Sequence, residues 1–357
     1  MEPPGWYRLL LHCHHGANMK LLEMDYSQIE SLMKDLGQGK FRAGQVMSWL
    51  KRGKTPDDMT NLAKPLRAAL NEIGLGGVRV ENAITSKDGS TKFLFRCEDH
   101  NAIEGVLMQY HHGGSLCLST QAGCRMGCKF CASGENGLVR NLNVDELVGQ
   151  VHAAMGHLGE GALNHMVLMG CGEPFDNYHN VVRFLRLMTD EKGYGFSPRN
   201  ISLSTCGLVD RIYDFIEEKI PVVLCISLHA PNDAVRHEIM PISHRYRIED
   251  VVKAARAYDT ASGRRVIFEY ILIKGVNDSP AQAKELARLT RGMRKHINLI
   301  PLNGDVGGWQ APGRQDCQRF LSVLKENGAS ATIRRTLADD IEGACGQLRR
   351  RVLQEEG

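Results

Sequence analysis

Cys124-Arg-Met-Gly-Cys128-Lys-Phe-Cys131 is the stretch of sequence that decides the fold. It places three cysteines at C-x3-C-x2-C spacing in a predicted loop, directly after a short apolar run at residues 116–119. Thiolates at this spacing can converge on one metal centre. Three thiolates are one too few to close a tetrahedral zinc site or to saturate a cubane iron–sulfur cluster, so the pattern favours a cluster with one open iron. The alternative is a zinc site that Cys117 or a distant histidine completes.

The chain after the cysteine motif alternates short apolar runs with helical patterns. Helices are predicted at residues 145–157 and 281–290, among others, and residues 331–334 have the pattern of a seventh strand. Six strand–helix units in series predict an α/β fold whose parallel sheet is closed or partly closed into a (β/α)6 barrel, with functional residues at the carboxyl ends of the strands. The six predicted strands lie near residues 116–119, 165–169, 201–204, 222–227, 266–271 and 297–301.

The part of the chain before the barrel has two different periodicities. Residues 25–75 show apolar positions at helical spacing, with Asp25 and Ser27 as candidate caps. The period then changes to two, and Asp88-Gly89 is a hairpin turn signal. These changes predict an N-terminal extension at 1–18, a helical accessory domain at 19–77, a β-rich connector with a hairpin at 78–114, and the barrel at 115–357.

Composition excludes several classes of protein. The chain has 357 residues, of which 43% are hydrophobic and 24% are charged, which excludes a disordered chain, a collagen-like chain and a disulfide-stapled miniprotein. A net charge of +3 leaves nucleic-acid binding to local patches. No apolar run of membrane-spanning length and no export signal is visible, so we expect a cytoplasmic protein without a membrane partner. In that reducing compartment, clustered cysteines usually indicate metal binding or catalysis.

Polar side chains follow several of the predicted strands. Because the carboxyl ends of parallel strands meet at one rim, these residues are candidates to bind a common ligand. They are Gly172 and Glu173 after the second strand, Ser204 after the third, Ser227, Leu228 and His229 after the fourth, and Asn303 after the sixth.

The cysteine motif, with an aromatic residue before its last cysteine and a position at the top of the first strand, resembles the radical S-adenosylmethionine (SAM) superfamily. The resemblance implies a [4Fe-4S] cluster bound by Cys124, Cys128 and Cys131. Its open iron would bind the amino and carboxylate groups of SAM. An external one-electron reductant such as flavodoxin would then allow cleavage to a 5′-deoxyadenosyl radical. Gly172 and Glu173 match the superfamily's contact with the methionine amino group, and the other rim residues match positions near ribose and adenine.

Two further segments narrow the resemblance. Asp340-Ile-Glu-Gly-Ala-Cys345-Gly-Gln-Leu348 and Gly137-Leu-Val-Arg-Asn-Leu142 are similar to the RlmN/Cfr family of RNA adenosine methyltransferases, and the similarity covers roughly residues 20 to 350. It implies that Cys345 carries a methyl group from one SAM while a second SAM supplies the radical. Glu104 matches the proton acceptor. Cys117 matches the cysteine that releases the RNA by forming a disulfide with Cys345.

The sequence also bears on the choice of substrate. Gly172-Glu173-Pro174 favours the C2-directed members of the family, which act on 23S rRNA and on the tRNA adenosine beside the anticodon. C8 methylation of the rRNA adenosine is one alternative, and a metal-stapled RNA-binding protein without catalysis is another. Basic residues at 334–335 and 349–351 and in the helical domain are candidates for phosphate contacts. Residues 1–18 match nothing in the family, whose chains normally begin near Met19, and we expect a monomer.

Overall fold

The computed structural model describes residues 19–110, 113–159, 163–303, 308–334 and 341. Its helices are α1 (Tyr26–Asp35), α2 (Phe41–Leu50), α3 (Lys64–Ile73), α4 (Val144–Leu158), α5 (Tyr178–Thr189), α6 (Val209–Glu217), α7 (Asp233–Ile239), α8 (Ile248–Ser262), α9 (Pro280–Leu289) and α10 (Arg314–Glu326). Its strands are β1 (Arg79–Thr85), β2 (Thr91–Arg96), β3 (Ala102–Tyr110), β4 (Gly113–Cys117), β5 (Gln121–Gly123), β6 (Leu138–Asn141), β7 (Leu163–Leu168), β8 (Ile201–Thr205), β9 (Val223–Ser227), β10 (Val266–Leu272), β11 (Lys295–Pro301) and β12 (Ala331–Ile333). No helix within these residues is long and apolar enough to cross a lipid bilayer.

Ten of the described strands form one sheet, in the order β1-β2-β3-β4-β7-β8-β9-β10-β11-β12. Every pair from β4 to β12 is parallel, whereas β1 to β4 pair antiparallel. Helices lie between the parallel strands along the chain, as right-handed crossover connections require. The predicted α/β fold with a partial barrel is therefore confirmed, and β12 is the seventh parallel strand.

The two faces of the parallel sheet differ in polarity. One face carries large apolar side chains that are completely buried beneath the helices, among them Leu203 on β8, Leu224 on β9 and Phe268 on β10. Burying each such side chain contributes roughly 1.5–3 kcal/mol. The residues that alternate with them, such as Ser202, Ser204 and Ser227, are polar and half-buried. Because successive side chains of a strand point to opposite faces, the helix-free face is left for a ligand.

The helical N-terminal unit begins as the sequence predicts. The carboxylate of Asp25 caps α1 by accepting a hydrogen bond of 2.9 Å from the backbone N–H of Gln28. The unit is held against the barrel by Arg183 of α5, whose guanidinium donates to the side chain of Gln28 at 2.6 Å. The packing is also close at Gly53, where a Cβ atom would lie 2.2 Å from the backbone nitrogen of Gly156 in α4.

The predicted connector is continuous with the barrel sheet. The hairpin between β1 and β2 turns at Asp88-Gly89, where the backbone N–H of Ser86 donates to the carbonyl of Ser90 at 2.8 Å. Strand β3 then pairs antiparallel with β4, the first strand of the barrel. The connector therefore places its side chains beside those of the barrel. The domain boundaries at 18, 77 and 114 stay a prediction.

We predict that Gly53→Ala weakens the docking of the N-terminal unit. Gly53 has φ +65°, a left-handed conformation that costs a residue with a Cβ about 1–2 kcal/mol. The added Cβ would also clash with the backbone of α4. We expect a fall in melting temperature well beyond what backbone strain alone gives, measured by thermal unfolding.

Gly37→Ala is the matched control. Gly37 has φ +68°, and a Cβ added there would meet nothing within 4 Å. Strain alone should lower the melting temperature by a few degrees, since 1 kcal/mol corresponds to about 2–4 °C in a large domain. Equal shifts in the two variants would show that the contact with α4 adds no stability.

Candidate active site

Strand register brings the predicted reactive residues to the helix-free face. Cys117 on β4 lies opposite Val106 on β3 and opposite Val167 on β7. Residues directly opposite each other project to the same face, and so do residues two apart on one strand. Glu104, two residues before Val106, therefore shares this face with Cys117. Both are buried, with Glu104 5% and Cys117 4% exposed.

The same face continues as a row of polar groups across the barrel. The hydroxyl oxygens of Ser204 and Ser227 are 3.4 Å apart. Ser227 lies opposite Glu269 on β10, and Glu269 lies opposite Asn298 on β11, whose side-chain amide donates to the Glu269 carboxylate at 2.7 Å. Burial raises the pKa of Glu269, so the carboxyl group is a candidate hydrogen-bond donor or acceptor at the rim. Glu269 was missed from the sequence, where its signal is a single carboxylate within an apolar strand.

The segment after β4 leaves the sheet and is fixed by buried side chains. Gln150 of α4 accepts from the backbone N–H of Ser119 and donates to its carbonyl, both at 2.9 Å. The hydroxyl of Ser119 donates to the carbonyl of Glu104 at 2.7 Å and accepts from the N–H of Cys171 at 2.9 Å. The side chain of Asn177 donates to the carbonyl of Thr120 at 2.9 Å. These contacts tie Glu104, the segment before the cysteine motif and the loop after β7 together.

The cysteine motif lies in the loop between β5 and β6. The N–H of Cys124 donates to the carbonyl of Gly137, and the N–H of Cys131 donates to the carbonyl of Cys128, each at 3.0 Å. All three cysteines are half-buried. Burial raises the pKa of the Cys124 thiol to about 12 and also raises that of Cys128. The thiols become ligands only by losing protons to a bound cation, so metal binding here releases protons.

The arrangement of the thiols distinguishes a cluster from a single ion. A tetrahedral zinc site with Zn–S bonds of about 2.3 Å holds its sulfurs about 3.8 Å apart. Among the described residues, none of the three cysteines joins a group of three or more ligand atoms within 4.8 Å of one another. Within this part of the chain, the three thiols are thus not grouped with Cys117 or a histidine as the ligands of a single zinc ion would be. Two buried hydroxyls nearby, of Thr120 and Ser133, have no hydrogen-bond partner among the residues that the structure describes and could bind a ligand's polar groups.

Glu173 lies at the centre of these loops and is 4% exposed. One carboxylate oxygen accepts from the N–H of Cys206 at 2.7 Å, and the other accepts from the N–H of Phe175 at 3.1 Å. Burial raises its pKa. The side chains of Thr205 and Cys206 also hydrogen-bond to this carboxylate. Its predicted contact with the methionine amino group stays a prediction.

Gly172 has a structural role that differs from the predicted one. It has φ +110°, and an added Cβ would lie 2.8 Å from the backbone nitrogen of Gln121 and 2.8 Å from the hydroxyl of Thr120. Glycine is therefore required here by packing against the segment after β4. Whether a ligand also approaches its backbone stays a prediction.

His229 is held in a strained conformation at the end of β9. It has φ +59°, which residues other than glycine rarely adopt. Its Nδ1 accepts from the N–H of Ile271 at 3.0 Å, which leaves the proton of the neutral ring on Nε2. Burial, followed by the charge of Arg236, lowers its pKa to about 3. The ring packs edge-on against Phe130 of the cysteine motif, with centroids 4.9 Å apart.

The remaining predicted site residues are less closely placed. Leu228 is completely buried and its N–H donates to the carbonyl of Glu269 at 3.1 Å, while Asn303 is exposed after β11. Cys345 lies outside the described residues. The structure therefore gives no support to the predicted disulfide between Cys117 and Cys345.

Comparisons with known proteins cover both the helical unit and the barrel. Residues 19–74 match the ribosomal RNA large subunit methyltransferase N-terminal domain, and residues 118–287 match the Radical SAM superfamily. The chain is 44% identical over 339 residues to a probable dual-specificity RNA methyltransferase RlmN of Lachnospira eligens, covering 93% of this chain and 96% of that protein. A protein of the same description from Alkaliphilus oremlandii is 46% identical over 338 residues, covering 94% and 98%.

A solved structure is also similar. The crystal structure of a radical SAM methyltransferase from Sphaerobacter thermophilus has a TM-score of 0.87 and 41% sequence identity to this chain. The match covers 92% of this chain and 98% of the other. The helical unit and the barrel therefore occur together in a solved relative.

We predict that iron loading depends on three cysteines and on no others near them. After anaerobic reconstitution, the native chain should hold about four irons. Cys128→Ala should lose most of this iron because two thiolates cannot retain the cluster. Total iron and the visible absorption of the cluster measure the result.

Cys171→Ala and Cys206→Ala are the matched controls. A charge on Cys171 would act on Cys124, and a charge on Cys128 would raise the pKa of Cys206, so both controls lie near the motif. They should keep about four irons per chain. Loss of iron from either control would mean that the site has a fourth protein ligand.

Proposed function

Because the chain belongs to the RlmN family of radical SAM RNA methyltransferases, we propose that it methylates C2 of an adenosine in 23S rRNA and of the adenosine beside the anticodon in tRNA. The observation that carries the proposal is the register that places Glu104 and Cys117 together on the helix-free face of the barrel. Close relatives are described as dual-specificity RNA methyltransferases, which supports two RNA substrates.

The target carbon explains why a radical enzyme is needed. C2 of adenine is electron-poor and is not a nucleophile, so ordinary polar methyl transfer from SAM cannot occur there. A [4Fe-4S] cluster held by Cys124, Cys128 and Cys131 supplies, together with SAM, the radical chemistry that activates a methyl group. The protein provides binding, orientation and exclusion of water. We propose that two SAM molecules are used per turnover.

The chain's own residues perform the steps at sulfur and at the base. In the proposed scheme, the thiolate of Cys345 takes a methyl group from the first SAM, and the activated methylene joins this sulfur to C2. Glu104 accepts the proton that leaves C2. After the adduct has returned one electron to the cluster, Cys117 would attack the sulfur of Cys345 and break its bond to the methylene carbon. That carbon would take up a proton and leave as the methyl group of the RNA. The two sulfurs are then joined, and a cellular reductant returns them to thiols.

The geometry supports a shared site for this sequence of steps. Glu104 and Cys117 are on adjacent strands, and the hydroxyl of Ser119 binds the carbonyl of Glu104 directly. The loop with Glu173 hydrogen-bonds to the same serine through Cys171. Proton acceptor, releasing thiol and SAM-binding loop are thus fixed to one another. We further propose a cytoplasmic monomer that receives electrons from an external donor such as flavodoxin.

Charge in the N-terminal unit supports RNA binding. A cleft of about 380 Å³ lies where α1 and α2 meet the loop after α5, and Lys51, Arg52 and Lys192 line it together with Tyr26. The ammonium of Lys192 is 5.9 Å from the centre of the Tyr26 ring. Among the described residues the lining includes no acidic side chain, although the charge of Asp190 acts on Lys51. We propose that a phosphate of the RNA backbone binds here.

The function is tested by mass spectrometry of nucleosides from 23S rRNA and tRNA. The source is a strain that lacks its own enzyme and carries either the native chain or Cys345→Ala. We expect 2-methyladenosine in both RNAs with the native chain and none with the variant. The appearance of 8-methyladenosine would contradict the C2 assignment. The absence of both products from cells with a loaded cluster would contradict the RNA substrate.

The phosphate site is tested with Lys51→Gln, Arg52→Gln and Lys192→Gln combined. Each lost phosphate contact lowers the slope of log affinity against log salt by about one unit. We therefore expect weaker tRNA binding and a shallower slope, measured by fluorescence anisotropy. The control combines Lys253→Gln, Lys284→Gln and Lys325→Gln, three exposed lysines on α8, α9 and α10 with the same change in charge. An equal loss of tRNA affinity in both triple variants would show that no phosphate binds in the cleft.

A further inference from the structure

Arg236 is a completely buried cation beneath the cysteine motif. It lies on α7, with 0% of its surface exposed, and it is the largest of the fully buried side chains. Sequence patterns did not single it out, because one arginine in a short helix is ordinarily a solvated residue. An ionised side chain is buried only where charge or hydrogen bonds compensate for the lost water.

The hydrogen bonds of Arg236 reach only neutral groups. Its guanidinium donates to the carbonyls of Cys206 at 2.6 Å, Leu228 at 3.2 Å and Tyr246 at 3.5 Å. Within the described part of the chain, no carboxylate oxygen lies within ion-pair distance of it. The nearby Asp233 instead accepts from the N–H of Ile248 at 2.7 Å. The positive charge therefore has hydrogen bonds but no counter-charge of its own.

The helix that carries Arg236 is packed against the cysteine motif. The N–H of Lys129 donates to the carbonyl of Ile239, the last residue of α7, at 3.0 Å. A Cβ added at Gly127 would meet the ring of Pro241 at 3.6 Å. The electrostatics agree with this packing: burial lowers the pKa of Arg236, while negative charge on Cys206, Cys128 or Asp233 opposes the shift. Among the described residues, His229 also interacts with it, since the charge of Arg236 lowers the pKa of His229.

We propose that Arg236 is the counter-charge to the iron–sulfur cluster bound by Cys124, Cys128 and Cys131, and that it raises the reduction potential of this cluster. The inference rests on the proposed function only in requiring that the cluster be present. A cluster held by three thiolates is negatively charged, and reduction adds one more negative charge. A buried positive charge stabilises the reduced state more than the oxidised state, because screening by water is weak there. The external donor then reduces the cluster more readily.

The test is an anaerobic redox titration of the reconstituted full chain, followed by electron paramagnetic resonance without SAM or RNA. Arg236→Gln removes the charge and keeps groups that can bind the carbonyls. At a fixed potential, we expect the ratio of reduced to oxidised cluster to fall at least tenfold, which is 59 mV for one electron. Arg236→Lys keeps the charge and should stay within about threefold of the native ratio.

Two controls separate charge from folding. Arg245→Gln removes an exposed charge from the neighbouring segment and should leave the ratio unchanged. Asp233→Asn removes a negative charge that acts on Arg236 and that also pairs with Arg247 at 3.6 Å, while keeping an acceptor for Ile248, so it should raise the ratio. If Arg236→Gln does not hold iron, the ratio measured in Asp233→Asn tests the role of charge instead.

The outcomes distinguish this inference from the proposed function. The role of charge would be overturned if the ratio of reduced to oxidised cluster changed equally in Arg236→Gln and Arg236→Lys. It would also be overturned if this ratio stayed unchanged in both Arg236→Gln and Asp233→Asn. A native chain that binds a cluster with the expected dependence on Arg236 but modifies no RNA would contradict the proposed function alone.

Discussion

The satisfaction of buried backbone groups at residues 119 and 120 is a constraint on which the site depends. This segment leaves the sheet between β4 and β5, so its peptide groups lose the ladder partners that a strand would give them. Gln150 replaces two of these partners at Ser119, and Asn177 replaces another at Thr120. Strand β5 and then the cysteine motif follow, so two amide side chains, one on α4 and one in the turn before α5, help to hold the start of this region against the barrel. Backbone bonds from Thr120 and Gln121 to the carbonyl of Cys171 hold it as well.

The site is also organised by charges that are removed from water. The thiols of Cys124 and Cys128 have raised pKa values, and the carboxyl groups of Glu173 and Glu269 are raised as well, in each case chiefly by burial. Arg236 adds a positive charge with no carboxylate partner in the described residues. Groups in such an environment interact strongly with a ligand because water does not screen them. The barrel rim is therefore arranged for a charged cofactor.

Much of the fold could be predicted from local pattern, because periodicity and turn chemistry act over a few residues. The parallel strands, the turn at Asp88-Gly89 and the cap at Asp25 were all visible in this way. Features that depend on strand register could not be read from the sequence. Glu269 became a site candidate only when β9, β10 and β11 were aligned, and the packing of Gly172 against Gln121 joins segments about fifty residues apart. The assigned roles of Glu104 and Cys345 came from resemblance and stay predictions.

The antiparallel pairing of β3 with β4 determines which strands must be moved together if this site is transferred to another protein. The match to the Radical SAM superfamily begins at residue 118, so it starts one residue after Cys117 and leaves β3 out. The proton acceptor and the releasing thiol proposed here therefore lie outside the matched residues, although Cys117 is on β4, the first parallel strand of the barrel. A barrel transplanted at the superfamily boundary would keep the cysteine motif and Glu173 but would lose both. Any attempt to move this chemistry to another scaffold must transfer β3 and β4 as one unit.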